Sequence, residues 1–246
     1  MTERALTPSF RVSPYRFINR PTEVRRFLEA VGLQPEITKD SFAVLRGAAG
    51  LVTVHPLATA DTTEAMTTSF CLESDDARAA ALSLAADGLQ ARWLDESYGR
   101  RAKIAGPGLE ISVNEPMADS HGYTEHRSHG LSGEFVVDVV AVFFTPHLDH
   151  WEAFFQQFGF TTIVIAPGWL ELCANADSGV IGLHASQAPP SPPGRCSLSF
   201  KTSEPLDGFV VRMRRLGYEV TEEPEAQAPH VTVTDPDGER IEIHQR

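Results

Sequence analysis

Four times along the chain, apolar residues at helical spacing run into a glycine that is followed by another apolar residue. The first run is Val24, Phe27, Leu28, Val31, ending at Gly32-Leu33, and the second is the Ala-rich stretch from Ala77 to Ala86, ending at Gly88-Leu89. The third is Leu148, Trp151, Phe154, Phe155, Phe158 before Gly159-Phe160, and the fourth is Leu206, Phe209, Val210, Met213, Leu216 before Gly217-Tyr218. A glycine just past a helix adopts the left-handed conformation without a Cβ clash, and the apolar residue after it folds back on the last turn. From positions 32, 88, 159 and 217 the intervals are 56, 71 and 58 residues, a repeat with extra length only in its middle gap. A repeat of this size constrains the fold more than composition does.

Short strand-like runs flank each helix, one before it and three after. The last strand of each unit shows the repeat most clearly: Val52-Thr53-Val54-His55, Leu109-Glu110-Ile111-Ser112, Ile181-Gly182-Leu183-His184 and Ile241-Glu242-Ile243-His244. One such unit cannot bury a sheet face alone, so the units must pair. The expected fold is α+β: four βαβββ units paired into two domains with curved, cup-like mixed sheets and the helices outside. The domains are expected at residues 1–115 and 135–246. Residues 116–134 are polar and lack apolar periodicity, which reads as a linker. Its His121, His126 and His129 read as solvated residues rather than metal ligands.

The net charge of −12 argues against nucleic acid and anionic membranes as partners, because both need clustered Lys and Arg. The basic clusters Arg25/Arg26 and Arg212/Arg214/Arg215 read as solvated helix faces. No apolar run approaches the roughly 18 residues of a membrane span. The polar stretch Met1–Ser13 has no secretory core, so a cytoplasmic location is expected. Cys71, Cys173 and Cys196 fit no zinc spacing and read as reduced thiols.

The four units, the turn Asp235-Pro236-Asp237-Gly238 before Glu239-Arg240-Ile241-Glu242-Ile243, and the helix Trp151-Glu152-Ala153-Phe154-Phe155 before Gly159-Phe160 resemble the vicinal oxygen chelate superfamily. That group includes glyoxalase I, extradiol dioxygenases and bleomycin- and mitomycin-type resistance proteins. In its catalytic members, the resemblance implies, a divalent metal lies in the cup, held from the first, fourth, fifth and eighth strands of a domain. Carried onto this sequence, the second-half positions are about Val139, then Gly182, about Ser197, and Glu242. Those of the first half are near Ser13 or Pro14, then Thr53, Thr67 and Glu110. One carboxylate per half does not make the three-ligand set such a metal needs.

The expected ligand-binding residues are therefore Glu242, His244, His184 and Trp169 in the second half, and Glu110, His55 and Thr53 in the first. Glu242 and Glu110 face the cup if strand alternation holds, and a buried carboxylate there would carry a raised pKa. His55, His184 and His244 lie two residues further on, toward the rim. Trp169 and Phe42 open third strands and Trp93 follows the second helix, where each serves a flat ligand or the core. His147 and His150 begin a helix, where capping and solvent account for them. Asp235-Pro236-Asp237-Gly238 reads as a tight turn, not a calcium loop. Together these residues point to a metal-free protein, without a cofactor, that sequesters or carries a small, partly aromatic molecule as the resistance members do. It is expected to be a monomer or homodimer. The alternative is a metal-dependent lyase, isomerase or dioxygenase whose ligands have shifted onto His184, Glu242 and His244.

Overall fold

The computed structural model describes residues 8–57, 67–96, 99–117, 122–126, 136–187, 194–223 and 229–246. The first unit comprises β1 (Arg11–Val12), β2 (Tyr15–Ile18), α1 (Pro21–Val31), β3 (Gln34–Lys39), β4 (Phe42–Arg46) and β5 (Leu51–Pro56). The second has β6 (Thr67–Ser69), β7 (Cys71–Glu73), α2 (Ala77–Ala86), β8 (Ala91–Glu96), β9 (Gly99–Ala105) and β10 (Glu110–Asn114), and β11 (Thr124–Glu125) follows it. In the third are β12 (Val137–Thr145), α3 (Leu148–Gln156), β13 (Thr161–Ala166), β14 (Trp169–Cys173) and β15 (Val180–Ala185). The fourth contains β16 (Ser197–Thr202), α4 (Leu206–Arg215), β17 (Val220–Glu223), β18 (His230–Thr234) and β19 (Arg240–Gln245).

The four helices among the described residues end in the same way. Gly32, Gly88, Gly159 and Gly217 have positive φ. The amide after each returns to the carbonyl five residues earlier: Leu33 to Leu28, Leu89 to Leu84, Phe160 to Phe155 and Tyr218 to Met213. This is the Schellman closure that the glycine spacing predicts. Short-range chemistry thus fixes where each helix stops and the next strand starts.

The second half forms one eight-stranded mixed sheet in the order β13-β14-β15-β12-β16-β19-β18-β17. The first half has the same order but is divided into sheets β11-β3-β4-β5-β2-β6 and β1-β7-β10-β9-β8. Its central strands keep a single antiparallel register across the division, with Arg11 opposite Glu73, Val12 opposite Leu72 and Tyr15 opposite Ser69. The interruption falls at Ser13-Pro14 opposite Phe70-Cys71. Pro14 has no N–H to give to the ladder, which breaks the pairing at that point. Phe70 packs instead on Phe143 and Phe155 of the second half, with ring centroids 4.9 and 5.4 Å away. The segment expected to be a linker also carries structure. Thr124 and Glu125 pair with Thr38 and Ile37 at the edge of the first sheet, and His126 Nε2 lies 2.8 Å from Thr38 Oγ1. Polar sequence hid this strand because only edge pairing, not burial, holds it. His121 and His129 lie outside the described residues.

The helices pack on the sheet faces opposite the cups, and on that side the halves meet in one apolar core. Phe27 of α1 contacts Tyr218 edge-on at 5.2 Å. Arg212 is not merely solvated. It holds Glu204 at 2.5 Å and donates to the Ala30 carbonyl at the end of α1, tying α4 to α1. Trp93 packs against this core from β8. Cys71 and Cys196 are buried free thiols, and Cys173 is a partly exposed one. Among the described residues no helix is long and apolar enough to cross a membrane.

A buried charge cluster crosses the seam between the halves. Arg16 of β2, 1% exposed, donates to Asp235 at 2.7 Å and pairs with Glu239, both in the turn before β19. Asn19 N and Arg20 add bonds of 2.8 Å to Asp237 and the Pro236 carbonyl. The Asp-Pro-Asp-Gly turn is thus clamped by the first half. Removing one partner of a buried ion pair strands the others without compensation. Arg16→Met should therefore cost about 3–5 kcal/mol of unfolding free energy. Denaturant titration of both proteins checks this, and a loss below about 1 kcal/mol would refute the clamp.

Candidate functional site on the concave sheet faces

Strand alternation assigns each side chain of the second sheet to one face. Along β12, Val137, Val139, Ala141 and Phe143 enter the main core, while Val140 and Val142 form a separate apolar patch with Val180, joined by Phe144 and Trp169. The concave face therefore carries Asp138, Val140, Val142 and Phe144. Val139, expected at the first-strand position, points the other way. Its side chain meets Gly50 instead, within 2.9 Å of where a Cβ would stand. A one-residue offset along a strand exchanges the faces.

Two rows of side chains cross the central strands of this cup. One runs Asp138, Lys201, His244, His230, each directly opposite the next, and its neighbour runs Val140, Ser199, Glu242, Thr232. Lys201 makes a short ion pair with Glu171, whose other oxygen accepts from Trp169 Nε1 at 3.3 Å. Lys201 lies on β16 and Glu171 on β14, three strands apart in the sheet. Three strand spacings of about 4.8 Å exceed what a lysine and a glutamate can bridge along a flat sheet. Only a sheet curled into a cup brings them together. The Trp169 indole lies over Gly182, where an added Cβ would stand 2.6 Å from the ring, so this floor position has no room for a side chain.

The expected residues take up these places. Glu242 and His244 share the concave face, with His244 Nε2 3.3 Å from Glu242 Oε2. His230 pairs with His244 across the strands, their rings 5.0 Å apart. His184, exposed, lies at the opposite wall against Phe144 and Trp169, at 5.3 and 6.0 Å. Glu242 is half-exposed rather than buried. The hydrogen bond with His244 holds its carboxyl below the usual range, against the opposing effect of desolvation. The expectation of a raised pKa there is corrected: its partner and solvent both favour the anion. His147 takes the N-cap position of α3 without a side-chain cap bond, and its ring stacks on His150 at 5.2 Å.

Sequence reasoning missed Lys201, Glu171 and Asp138. Asp138 is 6% exposed; its Oδ2 faces Arg246 Nε at 3.1 Å and its Oδ1 has no hydrogen-bond partner. Burial pushes its carboxyl up, while Arg246 and Lys201 pull it back. The available signal was the charge itself, an aspartate inside the apolar strand Val137–Thr145.

The cup of the first half is filled by its own side chains. Phe17 and Phe42 pack on His55 at 5.3 and 6.0 Å, and His55 Nδ1 lies 2.8 Å from the Pro56 carbonyl oxygen. Thr53 is buried, and its amide bonds Pro14 O at 2.9 Å. Glu110 is tied to Arg92 at 2.8 Å and faces Lys103 at 3.6 Å. Deeper in this cup, Arg11 holds Glu73 at 2.9 Å, and Arg101 and Cys71 engage Asn114 at 2.8 and 3.0 Å. Outside both cups, a cleft of about 400 Å³ lies between the ends of α2 and α3, lined by Phe10, Leu84, Gln156 and Phe158 among others.

Residues 136–243 match the family model described as the Glyoxalase/Bleomycin resistance protein/Dioxygenase superfamily. That match covers nearly all of the second half. Among solved structures, the chain is similar to homoprotocatechuate 2,3-dioxygenase from Brevibacterium fuscum in complex with 3,4-dihydroxyphenylacetate. The identity is 15% and the TM-score 0.63, over 99% of this chain and 82% of that one. It is similar too to the Arthrobacter globiformis enzyme of that name (14%, TM-score 0.62, 98% and 80% covered) and to the 2,3-dioxygenase LapB from Pseudomonas sp. KL28 (13%, TM-score 0.60, 98% and 92% covered). No curated protein matches the sequence. At such identities the likeness is one of fold, and the fold is the two-domain vicinal oxygen chelate architecture.

A metal of the superfamily's catalytic kind would be held from the central strands of the cup. Here the row nearest that description offers a valine, a serine and a glutamate: Val140, Ser199 and Glu242. One carboxylate and one hydroxyl are too few good donors for such an ion. Among the described residues, no three His, Cys, Asp or Glu side chains are grouped as ligands. The residues present do not fit the metal.

Glu73 generates a pH dependence. Burial raises its carboxyl from 4.5 to about 7 even though Arg11 opposes the shift. A carboxyl whose folded pKa is raised stabilises the fold fully below its unfolded pKa, and that contribution fades as pH climbs through the folded value. Between about pH 4.5 and 7 this one group should remove about 3 kcal/mol. Glu73→Gln should flatten that part of the stability–pH curve. An equally steep fall in the variant would rule Glu73 out as its origin.

Proposed function

We propose that the concave face of the second half binds a small, partly aromatic organic molecule without a metal ion. The observation that carries this reading is the cup's composition: an apolar patch of Val140, Val142 and Val180, walled by Phe144 and Trp169 and bordered by Glu242, His244, His184 and Lys201. Flat apolar surface with a few placed polar groups is the usual make-up of a small-molecule site. Glu242, already ionised, is an acceptor for a ligand donor, and Trp169 supplies an aromatic wall. The first cup, occupied by Phe17, His55 and Phe42, supports the fold. Residues 1–115 and 135–246 act as the two domains of this reading, and the protein works in the cytoplasm as a monomer or homodimer.

A second reading is a metal-dependent lyase, isomerase or dioxygenase. The similar solved structures are dioxygenases, which speaks for this reading over a metal-free carrier, and His244 beside Glu242 lends it one imidazole donor next to a carboxylate. The donor row of the central strands speaks against it.

Two measurements separate these readings. Protein purified without chelator should hold well under one equivalent of iron, manganese, zinc or nickel. Stoichiometric metal that is lost in His184→Ala or His244→Ala would establish the enzyme instead. A thermal-shift panel of flat aromatic compounds that includes 3,4-dihydroxyphenylacetate should yield a ligand, and Glu242→Gln should weaken its binding about 2- to 13-fold with the fold intact. Unchanged affinity, or binding outside the cup, would defeat the proposal.

A further inference from the structure

Among the described residues, Asp138 is the one concave-face group with a buried side-chain oxygen that has no hydrogen-bond partner. Its backbone is fixed on both sides, paired with Lys201 on β16 and bridged to Ala49 of the first half. One carboxylate oxygen is held by Arg246, and Lys201 stands opposite on the neighbouring strand. The other oxygen is buried without a donor. An unmade hydrogen bond at a buried acceptor costs roughly 1–3 kcal/mol, more when the acceptor is charged. A core residue serving only the fold would gain by being apolar here, as Val140, Val142 and Val180 are on the same face.

The surroundings narrow what would complete it. By strand alternation Asp138 shares its face with the Val140–Val142–Val180 patch, and Lys201 connects through Glu171 to the Trp169 indole. Resting on the proposed binding role of this cup, we infer that Asp138 is a specificity residue for hydroxylated aromatic ligands. Its Oδ1 accepts the hydrogen bond of a phenolic hydroxyl, while the ring lies on the valine patch beside Trp169. Arg246 holds the other oxygen in place, and the charges of Arg246 and Lys201 oppose the upward pull of burial on this carboxyl. A site built to bond a hydroxyl rejects the analogue lacking it, because its own buried group is then left unpaired.

Matched probes test this. 2-Naphthol with 2-methoxynaphthalene, and 4-ethylphenol with 4-ethylanisole, differ only in whether the oxygen can donate. Affinities measured by fluorescence or calorimetry should favour the hydroxylated member by about 10- to 100-fold in the wild-type chain. Asp138→Ala should bring that ratio close to unity, and Asp138→Asn, which keeps an acceptor oxygen without the charge, should leave an intermediate ratio. Thermal melting confirms that each variant is folded, with Asp138→Asn as the working variant should alanine fail. Equal affinity of wild type for both members of each pair, or a preference that survives both substitutions, would overturn the role of Asp138. Binding that needs Glu242 but is indifferent to Asp138 would leave the cup as a binding site and remove only this inference. No binding of any probe to the wild type would remove both.

Discussion

A β-strand has two faces, and in this protein the helices and the main core take one of them. The helices and the seam between the halves claim the same face of every sheet, so Val139, Ile241 and Ile243 serve the common core. What is left over on the other face is the cup. Its polar rows arise from alternate positions of strands whose remaining positions are fully buried. Shape follows from the same constraint: a sheet packed on helices along one face and curled enough to let Lys201 reach Glu171 presents a hollow on the other.

The two hollows have met different fates. Pro14 and Phe70 break the first sheet along its centre, and the aromatic chain Phe17, His55, Phe42 and Tyr123 fills the ground beside that break. The second sheet is unbroken, and along its hollow Asp138, Val140, Val142 and Ser199 are buried. Where a metal-bearing relative would place ligands, it has a valine and a serine. The positive charge in this hollow comes instead from Lys201, an ammonium held by Glu171. An ammonium attracts anions, and what Lys201 adds to the cup is a positive charge fixed in place by its carboxylate partner.

Much of the fold was legible because it is written in local terms. Each helix stop depends on a glycine and its immediate neighbours, and the last strands repeat within a few residues of a fixed distance from it. The candidate site was legible only in part. Glu242, His244, His184 and Trp169 could be placed on one side of a sheet from alternation. The parity of β12 could not, because apart from Asp138 the strand Val137–Thr145 is apolar on both faces through Phe144 and gives no alternation to count. Asp138 stands in that same run, and its meaning depends on Arg246 at the far end of the chain. Lys201 with Glu171, and Arg16 with Asp235, are meetings of residues distant in sequence, created by curvature and by docking of the halves.

Arg16 also bears on how such a chain can change over generations. Two units that merely lie side by side can be separated, shuffled or lost without consequence to the remaining one. Here the turn leading into β19 has its buried acids neutralised from the other half of the polypeptide. A second half set free would carry Asp235 and Glu239 without the Arg16 guanidinium between them. The charge therefore works as a ratchet: once placed at the seam, it commits the duplicated halves to inheritance as one piece.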